Sequence, residues 1–197
     1  SLTGGNMTFR GILGTGIYRV FELAVAQTGL TEREAREAGY DVAVSHDIKV
    51  DRPEYLGGRE MVIKGVADRD TGRLLGAQIV GYGGVDKRID VFATAITYGA
   101  KAEDLFHLDL AYSPPFSTTR DPVAYTGMIL DNAINRDRPL ITPQELSELI
   151  KSGEDFVLID TREPDQYYTS HLEKSENVPH AMCRDVLVCK DKECTFV

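Results

Sequence analysis

The sequence predicts an α+β protein built from two domains, residues 7–137 and residues 138–197. Residues 61–67 and 73–81 are apolar runs separated by the turn sequence DRDTG, a pattern typical of an antiparallel hairpin. Residues 156–159 form an unbroken apolar run behind a helical segment, which is typical of a buried parallel strand. Because these two patterns belong to different sheet architectures, we expect a domain boundary between them.

A helix-capping motif and the alternation of apolar and polar residues predict the first helix and strands of the chain. Residues 17–26 are mostly apolar and β-prone, so one strand is predicted there. Thr31 and Glu34 form a capping box, which predicts a short helix that ends at Gly39. The alternation over residues 40–50 predicts a further strand before the hairpin.

Two longer helices follow the hairpin. Apolar residues recur at helical spacing over residues 85–98, which predicts a helix closed by Gly99. Residues 103–108 predict a short helical turn. Asp121 is suited to the N-cap, and the proline after it to the first helical position, of a helix over residues 122–134.

The segment between these helices, residues 109–117 (DLAYSPPFS), is the first candidate functional element. Pro114 and Pro115 fix φ and remove two backbone donors, so the segment can be neither the interior of a helix nor a central strand. We predict a stiff, extended loop that holds Tyr112 and Phe116 in a fixed place. Such loops on a rigid scaffold often carry function, although a packed connecting loop has the same composition.

In the second domain, Thr142 and Glu145 form another capping box, which predicts a helix that runs to Ser152 and ends at Gly153. The charged, proline-terminated stretch at residues 136–139 is a candidate linker.

Composition restricts the classes of partner. The net charge of −9 and the isoelectric point near 4.9 argue against nucleic acid and anionic membranes. The sequence has neither an apolar run of membrane-spanning length nor a signal peptide. All three cysteines lie in residues 183–197, which is not a secreted disulfide framework, and we therefore predict a reducing cytoplasmic location.

Residues 11–16 (GILGTG) superficially suggest a dinucleotide-binding loop. The glycines follow the order G-x-x-G-x-G instead of G-x-G-x-x-G, and no hydrophobic strand precedes them. Nucleotide binding is therefore not predicted at this position.

Residues 11–136 resemble the C-terminal dimerisation domain of the pyridine nucleotide-disulfide oxidoreductases, in particular the coenzyme A-disulfide reductase and NADH oxidase group. The resemblance is carried by GTG through TGL at residues 14–30, TGRLLGAQIVG at residues 71–81 and LDLAYSPPFS at residues 108–117, with VDKRID at residues 85–90 between them. It implies an antiparallel sheet flanked by helices, and a homodimer.

The same resemblance implies roles for residues of the proline loop. Tyr112 would be presented to the flavin side of the partner subunit's active site, with its hydroxyl near a redox cysteine or a substrate sulfur. Pro114, Pro115 and Phe116 would lie at the cofactor. FAD and NAD(P)H would belong to a parent enzyme with flavin and nicotinamide domains, which this sequence lacks, so the chain is not expected to be a reductase alone.

The tail resembles the start of a rhodanese domain. The motif residues are DTR at 160–162, Tyr167 or Tyr168, HL at 171–172 and NVP at 177–179. The sequence departs from that pattern at Ser170 and at residues 174–175, where the family has glycine and Gly-Ala. We expect Arg162 to form an ion pair with Asp160 at the end of the strand and not to bind substrate.

Within this resemblance, Cys189 is the candidate nucleophile, because it follows the apolar run VLV. Residues 190–194 contain no glycine, unlike the active loop of the family.

Three alternatives stay open. The chain could be a stand-alone, non-catalytic homodimerisation or sulfur-carrier docking module, whereas the reductase interpretation implies a thiol, disulfide or persulfide substrate. It could be a sulfurtransferase, which persulfide formation on Cys189 would reveal. A zinc site formed by residues 180, 183, 189 and 194 has suitable ligands but irregular spacing, and no metal is predicted.

Overall fold

The computed structural model describes residues 4–5, 8–136, 138 and 140–183. The chain divides into two units between residues 137 and 138. Among the described helices, none has both the length and the apolar character needed to cross a bilayer.

The first unit is a five-stranded antiparallel sheet with helices. The spatial order of the strands is β1-β2-β5-β4-β3, and every neighbouring pair is antiparallel. The strands are β1 (Gly16–Val20), β2 (Leu23–Gly29), β3 (Val42–Val50), β4 (Glu60–Asp68) and β5 (Leu74–Gly81). The helices are α1 (Glu32–Glu37), α2 (Val85–Thr97) and α3 (Pro122–Asn135). Short 3-10 turns occupy Glu54–Leu56 and Glu103–His107.

One core joins the sheet to α2 and α3. Ile63 of β4, Ile79 of β5, Phe92 of α2 and Leu130 of α3 are fully buried in a single cluster. A β-carbon at Gly65 would lie 2.6 Å from Cγ2 of Thr126, so only glycine allows α3 to approach β4 this closely. The predicted antiparallel sheet with flanking helices is confirmed.

Most element boundaries of this unit follow the predicted caps. Thr31 and Glu34 make both bonds of the capping box, and Asp121 caps α3 by accepting a hydrogen bond from the Val123 amide. Gly72 takes the left-handed conformation in the β4–β5 turn, with φ of +73°.

The prediction of one strand over residues 17–26 is wrong. The run forms a hairpin, in which β1 pairs with β2 from Gly16 opposite Gln27 to Val20 opposite Leu23. Phe21, at the turn, has φ of +52°. The turn was missed because it contains neither glycine, proline, asparagine nor aspartate, the residues that usually indicate one.

The second unit contains two short parallel strands. Its elements are α4 (Pro143–Ser152), β6 (Leu158–Asp160), α5 (Pro164–Thr169) and β7 (Ser175–Asn177), and β6 pairs with β7 in parallel. The capping box at Thr142 is present as predicted. The predicted buried strand over residues 156–159 is too long at its start, because Val157 is exposed and only Leu158 and Ile159 are buried.

Candidate functional site

The proline loop exposes two aromatic side chains. Tyr112 is 49% exposed and Phe116 is 72% exposed. The Ser113 carbonyl accepts hydrogen bonds from the amides of Phe116, at 2.9 Å, and Ser117, at 3.2 Å, so the two prolines lie inside a closed turn. The loop is neither helix nor strand, as predicted.

Both ends of this turn are fastened to neighbouring elements. Before Tyr112, the Ala111 carbonyl accepts a hydrogen bond from Nζ of Lys87 at 3.3 Å. After Phe116, the buried Ser117 hydroxyl donates to Oδ2 of Asp121 at 2.8 Å. The aromatic side chains are thus exposed while the backbone on either side of them is held.

Arg88 of α2 lies at the centre of the contacts that hold the loop. Its side chain is buried, and Nε donates to Oδ1 of Asp121 at 3.1 Å. Nη2 donates to the Ser117 hydroxyl at 3.4 Å and to the Asp51 carbonyl at 2.9 Å. Nη1 donates to the Gly84 carbonyl at 3.0 Å. One guanidinium therefore joins the start of α2, the proline loop and the loop after β3.

The surroundings of Asp121 favour the ionised form of its carboxyl group. Burial alone raises the pKa of Asp121, but the Arg88 guanidinium, the Val123 amide and the Ser117 hydroxyl together hold it below its ordinary value. Nζ of Lys87 lies 3.4 Å from Oδ2 and adds a second positive charge. The site is thus a buried ion pair beneath an exposed aromatic loop.

The loop after β3 has a similar construction. Asp51 accepts hydrogen bonds from the Arg59 amide at 2.7 Å and from Nη1 of Arg52 at 3.0 Å. Nε of Arg52 in turn donates to the Leu56 carbonyl at 3.0 Å. This loop carries a third exposed aromatic side chain, Tyr55.

Sequence reasoning did not single out Arg88 or Tyr55. A signal for Arg88 was available, because it lies between the buried positions Val85, Ile89 and Phe92 on the core-facing side of α2. A charged residue on such a stripe requires a buried partner. Nothing in the sequence showed that the partner was Asp121.

The predicted site residues of the first unit lie together. Tyr112, Pro114, Pro115 and Phe116 share the one anchored turn, in which Pro114 is half-buried and Pro115 is exposed. The Tyr112 hydroxyl has no hydrogen-bond partner within the described part of the chain. A free phenol can donate a hydrogen bond to a developing anion.

Residues 11–16 are not placed as a dinucleotide-binding loop is. Gly11 and Gly14 precede β1 and Gly16 is its first residue, whereas a dinucleotide-binding loop follows a strand and opens a helix.

The second unit contains the tail motifs in a local network. Nη2 of Arg162 lies 2.6 Å from Oδ2 of Asp160 and also donates to the Ser170 carbonyl at 2.8 Å. Nδ2 of Asn177 donates to the carbonyls of Asp160 and Arg162, at 3.0 and 2.9 Å. The Tyr167 hydroxyl donates to the Ser175 carbonyl at 2.7 Å. The expected Asp160–Arg162 ion pair is confirmed, and these residues brace the ends of β6 and β7.

The candidate nucleophile Cys189 lies outside the described residues and stays a prediction. The same holds for the zinc alternative, because Cys189 and Cys194 fall outside and only His180 and Cys183 fall inside. Within the described ranges, no three His, Cys, Asp or Glu side chains are grouped as metal ligands.

Comparison with known families identifies the first unit. The sequence profile described as the pyridine nucleotide-disulphide oxidoreductase dimerisation domain matches residues 17–124. This range includes the whole sheet except the first residue of β1, and also α2 and the proline loop.

Relatives and solved structures agree with this match. The chain is 43% identical over 131 residues to the NAD(P)H sulfur oxidoreductase (CoA-dependent) of Pyrococcus furiosus, covering 66% of this chain and 29% of the relative. It superposes on reduced Bacillus anthracis CoADR-RHD with a TM-score of 0.87 at 32% identity, covering 97% of this chain and 34% of that one. The NAD-dependent persulfide reductase from A. fulgidus gives a TM-score of 0.80 at 35% identity, covering 100% and 35%. The chain thus spans about a third of the length of these proteins.

Proposed function

The chain belongs to the pyridine nucleotide-disulphide oxidoreductase family through its dimerisation domain, and on that premise we propose that it is the dimer-forming part of a flavin-dependent reductase of coenzyme A disulfides or persulfides. The observation that carries the proposal is the anchored loop within the matched range, which exposes a tyrosine hydroxyl without an internal partner. The substrate class follows the names of the relatives, which are a CoA-dependent NAD(P)H sulfur oxidoreductase and an NAD-dependent persulfide reductase.

In this proposal, the loop acts in the other subunit of a homodimer. Tyr112 extends from one protomer to the reaction centre of its partner, where FAD and NAD(P)H are held by the flavin and nicotinamide domains of the parent enzyme. When bound, the flavin supplies the electrons that reduce a sulfur–sulfur bond. The chain's own contribution is to place the Tyr112 hydroxyl where a thiolate develops and to donate a hydrogen bond to it.

The loop is suited to this role because the hydrogen bonds that hold it are formed before substrate binds. Lys87 holds the Ala111 carbonyl and Asp121 holds Ser117, on either side of the aromatic residues. A donor that is already oriented does not need to be ordered as charge develops, which is the source of electrostatic stabilisation in such sites. Pro114, Pro115 and Phe116 would provide apolar surface at the cofactor.

We further propose that the second unit is the beginning of a rhodanese-like domain. Support comes from the parallel β6–β7 pair and from the network that ties Asp160, Arg162 and Asn177 together at the strand ends. Trapping a persulfide on Cys189 and locating it by mass spectrometry would test whether this unit transfers sulfur.

The main experiment compares Tyr112→Phe with the unchanged full-length enzyme. We expect a yellow, flavin-containing dimer whose NAD(P)H-dependent reduction of coenzyme A disulfide and persulfide falls roughly 100-fold in kcat in the variant, because one donor to a developing anion is lost. Tyr98→Phe is the matched control, since Tyr98 is also exposed but follows α2 on a different loop.

Two outcomes would contradict the proposal. A colourless full-length protein would favour the stand-alone docking module. A flavoprotein in which Tyr112→Phe and Tyr98→Phe are equally active would remove the phenol from the mechanism.

A further inference from the structure

Arg88 makes more directed contacts than an ion pair requires. Four hydrogen bonds leave its guanidinium, and only the bond to Oδ1 of Asp121 reaches a charged partner. The others reach the Gly84 carbonyl, the Ser117 hydroxyl and the Asp51 carbonyl. The planar guanidinium therefore fixes three segments that are far apart in the sequence.

The backbone around Arg88 is shaped to admit this group. A β-carbon on Gly84, which has φ of +66°, would lie 2.1 Å from Nη1 of Arg88. Any other residue at position 84 would displace the guanidinium from the Gly84 carbonyl. The turn that opens α2 is thus built around the arginine.

Stability alone does not explain a buried charge at this position. Desolvation of an ion pair commonly cancels its attraction, and a well-packed apolar replacement of the pair is often as stable. What an apolar pair cannot supply is a set of directed donors to two loops. The loops in question are residues 111–117, which carry Tyr112, and residues 51–59.

We infer that Arg88 is a positioning residue, which acts through Ser117, Asp121 and Asp51 to fix the Tyr112 loop against the loop of residues 51–59 and so to set where Tyr112 lies in the partner's reaction centre. The inference rests on the proposed function. Arg88 does not itself reach the surface, because its side chain is only 1% exposed, and its effect must pass through the loops.

The test uses Arg88→Lys in the full-length enzyme. Lysine keeps a positive charge for Asp121 but has a shorter, unforked group that cannot also reach the Asp51 carbonyl and the Ser117 hydroxyl. We expect normal flavin content and dimer mass, and a kcat about 10-fold lower, since small misplacements of a catalytic group have effects of this size or larger. Arg33→Met, an exposed arginine on α1, is the control and should leave kcat unchanged.

The double variant Arg88→Lys/Tyr112→Phe separates positioning from a general loss of structure. If Arg88 acts by placing Tyr112, its substitution should lower kcat less than about twofold once the hydroxyl is gone. If the two losses multiply in full, the inference is wrong. If Arg88→Lys fails to fold, Ser117→Ala replaces it in the test. This variant removes the hydrogen bond between Arg88 and the Ser117 hydroxyl and leaves the ion pair with Asp121. Its effect on kcat should likewise be less than additive with that of Tyr112→Phe.

The two proposals fail in different ways. If Tyr112→Phe has no effect, the proposed function falls. If Tyr112→Phe lowers kcat while a folded Arg88→Lys enzyme is fully active, only the positioning role falls.

Discussion

The two units of the chain each contain an arginine–aspartate pair, and the pairs differ in burial and reach. Arg88 and Asp121 are 3.1 Å apart with side chains 1% and 5% exposed, whereas Arg162 and Asp160 are 2.6 Å apart with side chains 47% and 13% exposed. The first pair joins residues 33 positions apart, and the second joins residues two positions apart. The pair with the shorter distance therefore connects residues that are already close in the sequence, whereas the longer one connects distant parts of the first unit.

In both pairs the arginine lowers the pKa of the aspartate, but burial opposes this effect much more strongly in Asp121 than in Asp160. The hydrogen bond from Arg162 is the main cause for Asp160, which keeps its charge easily near solvent. For Asp121, burial is the largest influence and acts in the opposite direction, so Arg88 and the other donors must outweigh it. A buried pair is therefore costly to break even where it adds little net stability.

The largest expected effect is that of Asp121→Ala. The substitution leaves Arg88 buried and charged without its carboxylate, and removes the N-cap of α3. We expect the free energy of unfolding to fall by about 3–5 kcal/mol. Equilibrium urea unfolding followed by far-ultraviolet circular dichroism would measure this loss, with Asp160→Ala as the matched variant of the exposed pair. Equal losses in the two variants would erase the distinction between the pairs.

Asp47 sharpens the comparison because it is a buried carboxyl without an arginine. Oδ2 accepts a hydrogen bond from the Thr126 hydroxyl at 2.9 Å, and Oδ1 has no partner among the described residues. Burial raises the pKa of Asp47 from 3.8 to about 6. The folded state therefore binds a proton more tightly than the unfolded state, and the carboxylate costs stability above pH 6.

We expect Asp47→Asn to raise the free energy of unfolding by about 3 kcal/mol at pH 7, because each unit by which the pKa is raised corresponds to about 1.4 kcal/mol. The advantage over the unchanged chain should shrink as the pH falls from 6 to 4, because Asp47 becomes protonated in that window. Asp121 has the opposite sign, since its pKa is lowered, and its contribution is lost only as the pH falls below the ordinary range of a carboxyl. Unfolding both chains at several pH values measures the difference, and a constant difference would contradict the assignment to Asp47.

The same contrast explains what the sequence could predict. Caps and turns are local, so the capping box at Thr31, the N-cap at Asp121 and the left-handed Gly72 were all readable from neighbouring residues. The exposed loop around Tyr112 followed from two prolines and a family resemblance. The Arg162–Asp160 pair is two residues apart and was also predicted.

Contacts between distant residues were not readable in this way. The bonds from Arg88 to Asp51 and Ser117 span 37 and 29 residues, and they depend on how α2 packs between two loops. The turn at Phe21 was hidden for another reason, because the hydrophobic side chain there gives no local indication of left-handed backbone. The sequence thus predicted the exposed residues of the candidate site, but not the buried residues that support them.

The smallest expected effect is that of Arg162→Ala. Its side chain is 47% exposed, so solvent screens the charge of the pair. We expect a loss of stability less than about a fifth of that from Asp121→Ala. Hydrogen exchange over residues 158–177 would detect it locally, and 0.5 M salt should weaken the exposed pair while leaving Arg88 and Asp121 unaffected. A loss as large as that of Asp121→Ala would mean that the bond from Arg162 to the Ser170 carbonyl, more than the ion pair, holds the second unit together.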